Sequence, residues 1–398
     1  MCPARAIRAV AVACALPLLL TTLASPATAV DSWPVPRQAS ITIKGHGYGH
    51  GHGMSQYGAE GAARQGRTFQ QIAEFYYPGT TWGTASGSVR VQISADTTDD
   101  LIVVARDGLR VRDSGTGSVT QLPANGAKRW RIMVNGAGED RVAYLMNNRW
   151  RPWRGLDGEG AFSAGGAPVT LVTPSGQRRY RGRLTADAPT AGSPARNTVN
   201  TLSLENYLKG VVPLEMPALW HEAAVQAQAV AARTYAAYER DHRTVPLCDT
   251  TSCQVYGGFD AEHPASNEAV EATAHRALMY KGAPAFTQFS SSSGGWTSAG
   301  SVPYLPAKAD PYDGWAGNPV HSWSTQVSDT LVEARWPGIG NLTRIRVTQR
   351  DGHGEWGGRV GSVRLVGGQG TVVVSGDTLR AVLGLRSTWV TFVVRQRG

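Results

Sequence analysis

The chain has 398 residues, 41% hydrophobic and 17% charged, with 47 glycines. It is too apolar for a disordered tail and too glycine-rich for a helical bundle, which leaves one large or two modest domains. Lys and Arg number 39 against 30 acids, a net charge of +9, and Arg outnumbers Lys 34 to 5, so the excess reflects Arg-rich composition and names no partner by itself.

Residues 1–29 read as an export leader. Arg5 and Arg8 give a positive start, Ala9 to Leu20 an apolar run, and Ala27-Thr28-Ala29 a small-x-small cleavage site. The run is interrupted by Pro17 and is too short for a span, and no later segment is long enough. Cleavage removes two arginines and two cysteines, leaving +7 and the pair Cys248 and Cys253.

A lead segment (30–37) precedes a Gly/His-rich block (38–83). In that block the strand Ile41 to Ile43 runs into Gly45-His46-Gly47-Tyr48-Gly49-His50-Gly51-His52-Gly53-Met54-Ser55-Gln56, where alternate glycines permit tight turns. Two short helices follow, the second opened by a Thr68/Gln71 capping box and stopped by Pro78-Gly79. Residues 84–200 read as a β-rich subdomain, with Val89 to Ile93, Leu101 to Val104 and Pro168 to Val172 the clearest strands.

The main domain (201–398) holds the longest expected helix, Leu219 to Glu239. Ala224, Ala227, Ala231, Tyr235 and Tyr238 form one face of it, and Gln226, Val230 and Arg233 a second. Beyond it come a helix at Asn267 to His275, a hairpin turning at Lys281-Gly282, and the loop Ser290-Ser291-Ser292-Ser293-Gly294-Gly295-Trp296. Strands Arg344 to Val347, Val363 to Val366 and Thr371 to Val374, a helix near Thr378 to Leu383 and a last strand Trp389 to Val394 complete the chain. The class is α+β, expected as mixed strands and helices in two lobes around a groove.

Glu215, between two prolines and beside Met216 and Trp220, suits a carboxyl of raised pKa and hence a general acid. The competing reading is an acid at a helix entry that complements the dipole. Arg233 can line the same groove or serve as a buried ion-pair partner. His46, His50 and His52 are spaced to converge, but no carboxylate or thiol stands beside them. Cys248 and Cys253 fit a local disulfide, favoured by an oxidising compartment, with a zinc site including His242 as the alternative. The serine loop lacks the nucleophile-elbow pattern, and no nucleic-acid motif is present.

Leu204-Glu205-Asn206-Tyr207-Leu208-Lys209-Gly210-Val211-Val212-Pro213-Leu214-Glu215-Met216-Pro217, followed by Ala227-Gln228-Ala229-Val230-Ala231-Ala232-Arg233-Thr234-Tyr235, resembles the signature of the stage II sporulation protein D and amidase-enhancer family. Cys253 to Gly258, Ser293-Gly294-Gly295, Gly384 to Thr388 and the Gly49 to Gln56 run resemble further family blocks. Their order departs from the usual one: the Gly-His block, its helices and the Tyr-Tyr-Pro-Gly stop come first instead of last. This circular permutation requires Ile41 to Ile43 to lie near Trp389 to Val394.

The resemblance implies a lytic transglycosylase of peptidoglycan, with Glu215 as the single acid and base. It also implies substrate contacts from Arg233, Gln226 (often Lys in the family), Ser291, Ser293, His50, Ser55 and Gln56. Some members hold zinc near the thiol loop, but Ser252 stands where a further His is expected, so no cofactor is expected and the disulfide leads. The implied partners are peptidoglycan glycan strands and a cell-wall amidase, with no nucleic acid and no membrane span in the mature chain, and the implied location is outside the cell at the wall. The rival reading is a non-catalytic wall-binding protein that enhances an amidase. A third is a structural envelope module with Glu215 merely capping a helix. Trp220 and Trp296, beside the two strongest motifs, offer flat rings for sugar faces.

Overall fold

The computed structural model describes residues 31–135, 138–190 and 192–397; the expected leader, 1–29, lies outside them. Helices and many strands are both present, so the class is α+β. Among the described residues no helix is long and apolar enough to cross a membrane.

The buried residues gather into two clusters. The smaller contains Ile41, Ile43, Leu342, Val363, Leu365, Val390 and Phe392. There Ala39–His46 is the middle strand of three, between Ser322–Ser328 and Val390–Gln396. Ile41 faces Val394 and Ile43 faces Phe392 across the antiparallel ladder, so the adjacency that the permuted order requires is present. The lead segment is more ordered than its prolines imply, because Asp31–Pro34 pairs with Leu342–Arg350. That strand lies at a sheet edge, where a residue without an N–H costs no ladder bond.

The larger cluster joins the β-rich subdomain to the helices. The subdomain contributes a six-stranded sheet and six strands of a seven-stranded one, whose edge strand Leu247–Cys248 comes from the main domain. Alternation along each strand turns Val103, Trp130, Ile132 and Leu171 of one sheet, and Val91, Val111, Phe162 and Leu184 of the other, into the core.

The helices are α1 (Gln56–Arg64), α2 (Phe69–Tyr76), α3 (Leu204–Lys209), α4 (Val212–Glu215), α5 (Glu222–His242), α6 (Pro264–Ala272), α7 (Asp329–Arg335) and α8 (Gly376–Leu383). The expected capping box opens α2, with Thr68 and Gln71 each bonded to the other's backbone. The long helix starts three residues later than expected, since Pro217 to Trp220 form a turn and His221 accepts the Ala223 N–H as cap. Its buried residues, from Ala224 to Glu239, go nearly all the way round. It is therefore a central helix packed on several neighbours, not an amphipathic one with two separate faces. Helix α6, in contrast, begins earlier than expected, with Pro264 in the first turn, and ends before His275, which takes a left-handed φ of 63°.

Candidate active site

Parallel pairing of Met54–Ser55 with Phe289–Ser290 lays the Gly/His block against the serine loop, and Tyr48 bridges to Ser292. Between them and α5 opens a groove of about 560 Å³, lined by Tyr48, His50, Gln56, Glu215, Tyr235, the 251–253 loop, residues 288–291 and Arg380 of α8. The alternate glycines permit this path. Gly51 has φ 80°, and a Cβ there would collide with the Arg359 guanidinium.

Glu215 ends the one-turn helix α4, and α5 begins only at Glu222, so the carboxylate does not stand at the entry of the long helix. Met216, 1% exposed, anchors the turn. The Val255 N–H donates to Glu215 Oε1 at 2.9 Å. Burial raises the carboxyl's pKa, while the bonds from Val255 and Gln56 pull the other way and do not cancel it. Among the described residues no cationic nitrogen lies within 4.0 Å of it, and it is the only carboxylate lining the groove. Gln56 links Glu215 to the interior, since its Nε2 donates to Gln228 Oε1 at 3.5 Å. Tyr235, two residues past the signature arginine and so on another side of α5, also lines the groove, its hydroxyl pushed up to about 12 by burial and by the nearby Glu239.

His50, Gln56 and Ser291 line this groove with Glu215; four other residues expected to touch substrate stand elsewhere. Arg233 is 0% exposed. Its Nε and Nη2 donate to the two Glu205 oxygens at 2.8 and 2.7 Å, and further N–H groups donate to the Val270 and Arg276 carbonyls. With its fork consumed internally, it is the buried ion-pair partner and not a substrate contact. Gln226 donates to Glu222 at 2.7 Å on the outer side of α5; the inward glutamine is Gln228. Ser55 and Ser293 are both 1% exposed. Ser55 donates to Asp313 at 2.6 Å and caps α1 through the Gly58 N–H, while Ser293 donates to Asp310 at 2.8 Å.

Those two aspartates were not singled out from sequence, because nothing in their spacing ties them to the serines. Burial pushes Asp310 up to about 6, helped by Asp313. Burial also pushes Asp313 upward, but bonds from His321, Ser55 and Ser292 outweigh it and hold its carboxyl low. Together they lock the serine loop onto α1. Of the hydroxyls in that loop, the structure leaves the Ser290 and Ser291 positions on the groove.

Only two of the three histidines converge: the His50 and His52 rings lie 4.7 Å apart, and His46 stands elsewhere. His46 bonds Glu355 at 2.9 Å and stacks on Trp356, away from His50 and His52. His50 accepts the His52 N–H on Nδ1 at 2.9 Å and bonds the Phe289 backbone. Burial, His52, Arg359 and Arg380 push it down to about 3, so it is a neutral, fixed wall. Cys248 and Cys253 form a disulfide, with Cα atoms 5.5 Å apart. With both sulfurs so bonded and His242 Nδ1 bonded to the Tyr238 carbonyl at 2.7 Å, these three residues do not fit a zinc site. Trp220 packs on Tyr57 and Trp296 stacks on His353; neither ring lines the groove.

Residues 193–280 match the family model described as Stage II sporulation protein. The chain is 47% identical over 134 residues to the amidase enhancer of Bacillus subtilis, covering 32% of this chain and 18% of that protein. It is 32% identical over 146 residues to the stage II sporulation protein D of Bacillus subtilis, and 31% over 145 to that of Bacillus amyloliquefaciens, in both cases 30% of this chain and 42% of the relative. The chain thus spans less than half of the length of each of these relatives. The matches support the resemblance to the stage II sporulation protein D and amidase-enhancer family.

Proposed function

We propose, for a chain whose residues 193–280 match the Stage II sporulation protein family model, a secreted, wall-associated lytic transglycosylase acting on the glycan backbone of peptidoglycan. The observation that carries this reading is Glu215: one carboxyl of raised pKa, with, among the described residues, no cation beside it and no second carboxylate along the groove. A retaining or inverting hydrolase needs two carboxyl groups at set separations. An intramolecular closure needs one.

The protonated Glu215 gives its proton to the bridging oxygen as the C1–O bond breaks. The resulting carboxylate then takes the proton of the sugar's own 6-hydroxyl, whose oxygen closes on C1 to leave an anhydro end. Glu215 regains its proton, and no water is consumed. The bonds from Val255 and Gln56 aim the carboxyl and steady its anionic form between the two steps. Tyr48, Tyr235 and the Ser290–Ser291 edge offer hydroxyls to the glycan.

The proposal is tested with the mature protein and a Glu215→Gln variant on intact and peptide-free wall glycan, with products read by mass spectrometry. Wild type is expected to yield anhydro-ended fragments and the variant none; absence of such products from wild type on both substrates ends the reading. A second reading, enhancement of a wall amidase without catalysis, is favoured by the 47% identity to the amidase enhancer. It predicts that wild type and Glu215→Gln stimulate an added amidase equally.

A further inference from the structure

A second cavity, about 240 Å³, adjoins the groove, and His50 forms part of the wall of both. Its lining includes Arg350, at the end of the strand Leu342–Arg350, and Arg359, just before the strand Val360–Gly367. Arg359 is 5% exposed. Its Nη2 donates to the Ser293 carbonyl at 3.0 Å, and its Nη1 has no partner. Among the described residues no carboxylate oxygen comes within 4.0 Å of its guanidinium nitrogens. The Arg350 side chain, 6% exposed, bonds Asp31 and the Gly358 and Val390 carbonyls, which leaves Nη2 without a partner. Burial lowers the Arg359 pKa only to about 10, so it stays cationic at neutral pH.

A buried guanidinium that no carboxylate touches, with Asp351, Asp313 and Asp377 acting on it only from a distance and one N–H unmet, is costly, and it is relieved by an acceptor that brings negative charge. The first turn of α8 adds to this, since Gly376 and Asp377 line the same cavity and the positive end of a helix dipole points there. Two acids share the lining. Asp351 already accepts the His353 and Arg359 N–H groups on Oδ1, and Asp377 is exposed at the rim.

We propose that this cavity is an oxyanion site, which takes a carboxylate or phosphate group through Arg359 and Arg350. On the glycan-cleaving reading, on which this step alone rests, α8 connects the two sites. Arg380 lines the groove and the start of the same helix lines the cavity, so a glycan in the groove can place an acidic substituent at the guanidinium pair.

The test is titration of the full mature protein with inorganic phosphate and with acetate at low salt, followed at the Gly361 and Gly376 amides by NMR. Saturable shifts are expected in wild type. Arg359→Lys should weaken binding about tenfold or more, the loss of a charge-assisted hydrogen bond. Because Arg359 is buried, Gln349→Glu, at an exposed lining position, supplies a variant that keeps the fold, and it should weaken binding several-fold. Glu215→Gln should leave the affinity unchanged, so the two readings fail separately. Absence of saturable shifts, or equal affinity in wild type, Arg359→Lys and Gln349→Glu, overturns the proposal. A glycerol-phosphate oligomer and a muropeptide with free carboxylates then distinguish the sources, the tighter binder naming the natural group.

Discussion

Glu215 is held in conflict between burial, which favours the protonated acid, and two hydrogen bonds that favour the anion. Its folded pKa lies above its unfolded one, so the folded state holds the proton more tightly and stability falls as pH rises through that interval. Glu215→Gln should therefore unfold at a higher temperature than wild type at pH 7, with the gap closing below about pH 4, where both carry a neutral side chain. A thermal scan over pH checks this. On activity the same change should cost about 10²–10⁴-fold, the usual worth of a positioned acid. Gln56→Leu removes a bond that lowers the pKa, so the alkaline limb of the activity profile should move to higher pH. Arg233 gives the opposite kind of prediction. Arg233→Ala strands Glu205 and should cost about 3–5 kcal/mol in urea unfolding, whereas a substrate contact would alter affinity and leave stability alone. Sequence spacing raised both roles for Arg233 and could not separate them, because the helix alone does not tell which neighbour faces residue 233.

At the scale of elements, local sequence signals suffice where the structure is local. The Thr68/Gln71 box, the Lys281-Gly282 hairpin and the Leu101–Val104 strand stand as expected. Such signals do not suffice where tertiary contact decides. Asp31–Pro34 is a strand only because Leu342–Arg350 offers it an edge, and the Ser55–Asp313 and Ser293–Asp310 bonds span residues far apart in sequence. The groove was legible in its blocks, Glu215, His50, Gln56 and Ser291, but not in Arg380, which a separate helix brings in. The thiol loop is a further element to probe. The Cys248–Cys253 link closes a short ring beside Glu215, and replacing both cysteines by Ser should cost about 2 kcal/mol by the chain-entropy estimate, read by urea unfolding. Since Thr251 to Cys253 line the groove, that variant should also bind glycan more weakly.

Across the whole molecule the basic excess is uneven. Residues 88–200 carry 16 Arg or Lys against 10 Asp or Glu, most of the surplus of the mature chain. Arg141, Arg149 and Arg151 stand exposed on neighbouring strands of the six-stranded sheet, a field suited to retention on anionic polymers and weakened by salt. Arg149→Glu with Arg151→Glu should lower retention on isolated walls at low salt and leave the unfolding midpoint unchanged, as checked by pull-down and denaturation. The central claim, that one carboxyl performs both proton transfers without water, is tested most directly by digesting wall glycan in heavy-oxygen water and reading the new ends by mass spectrometry. Wild type should give anhydro ends with no heavy oxygen, and Glu215→Gln should give no new ends. Reducing ends that carry heavy oxygen, or equal cleavage by the variant, would contradict it.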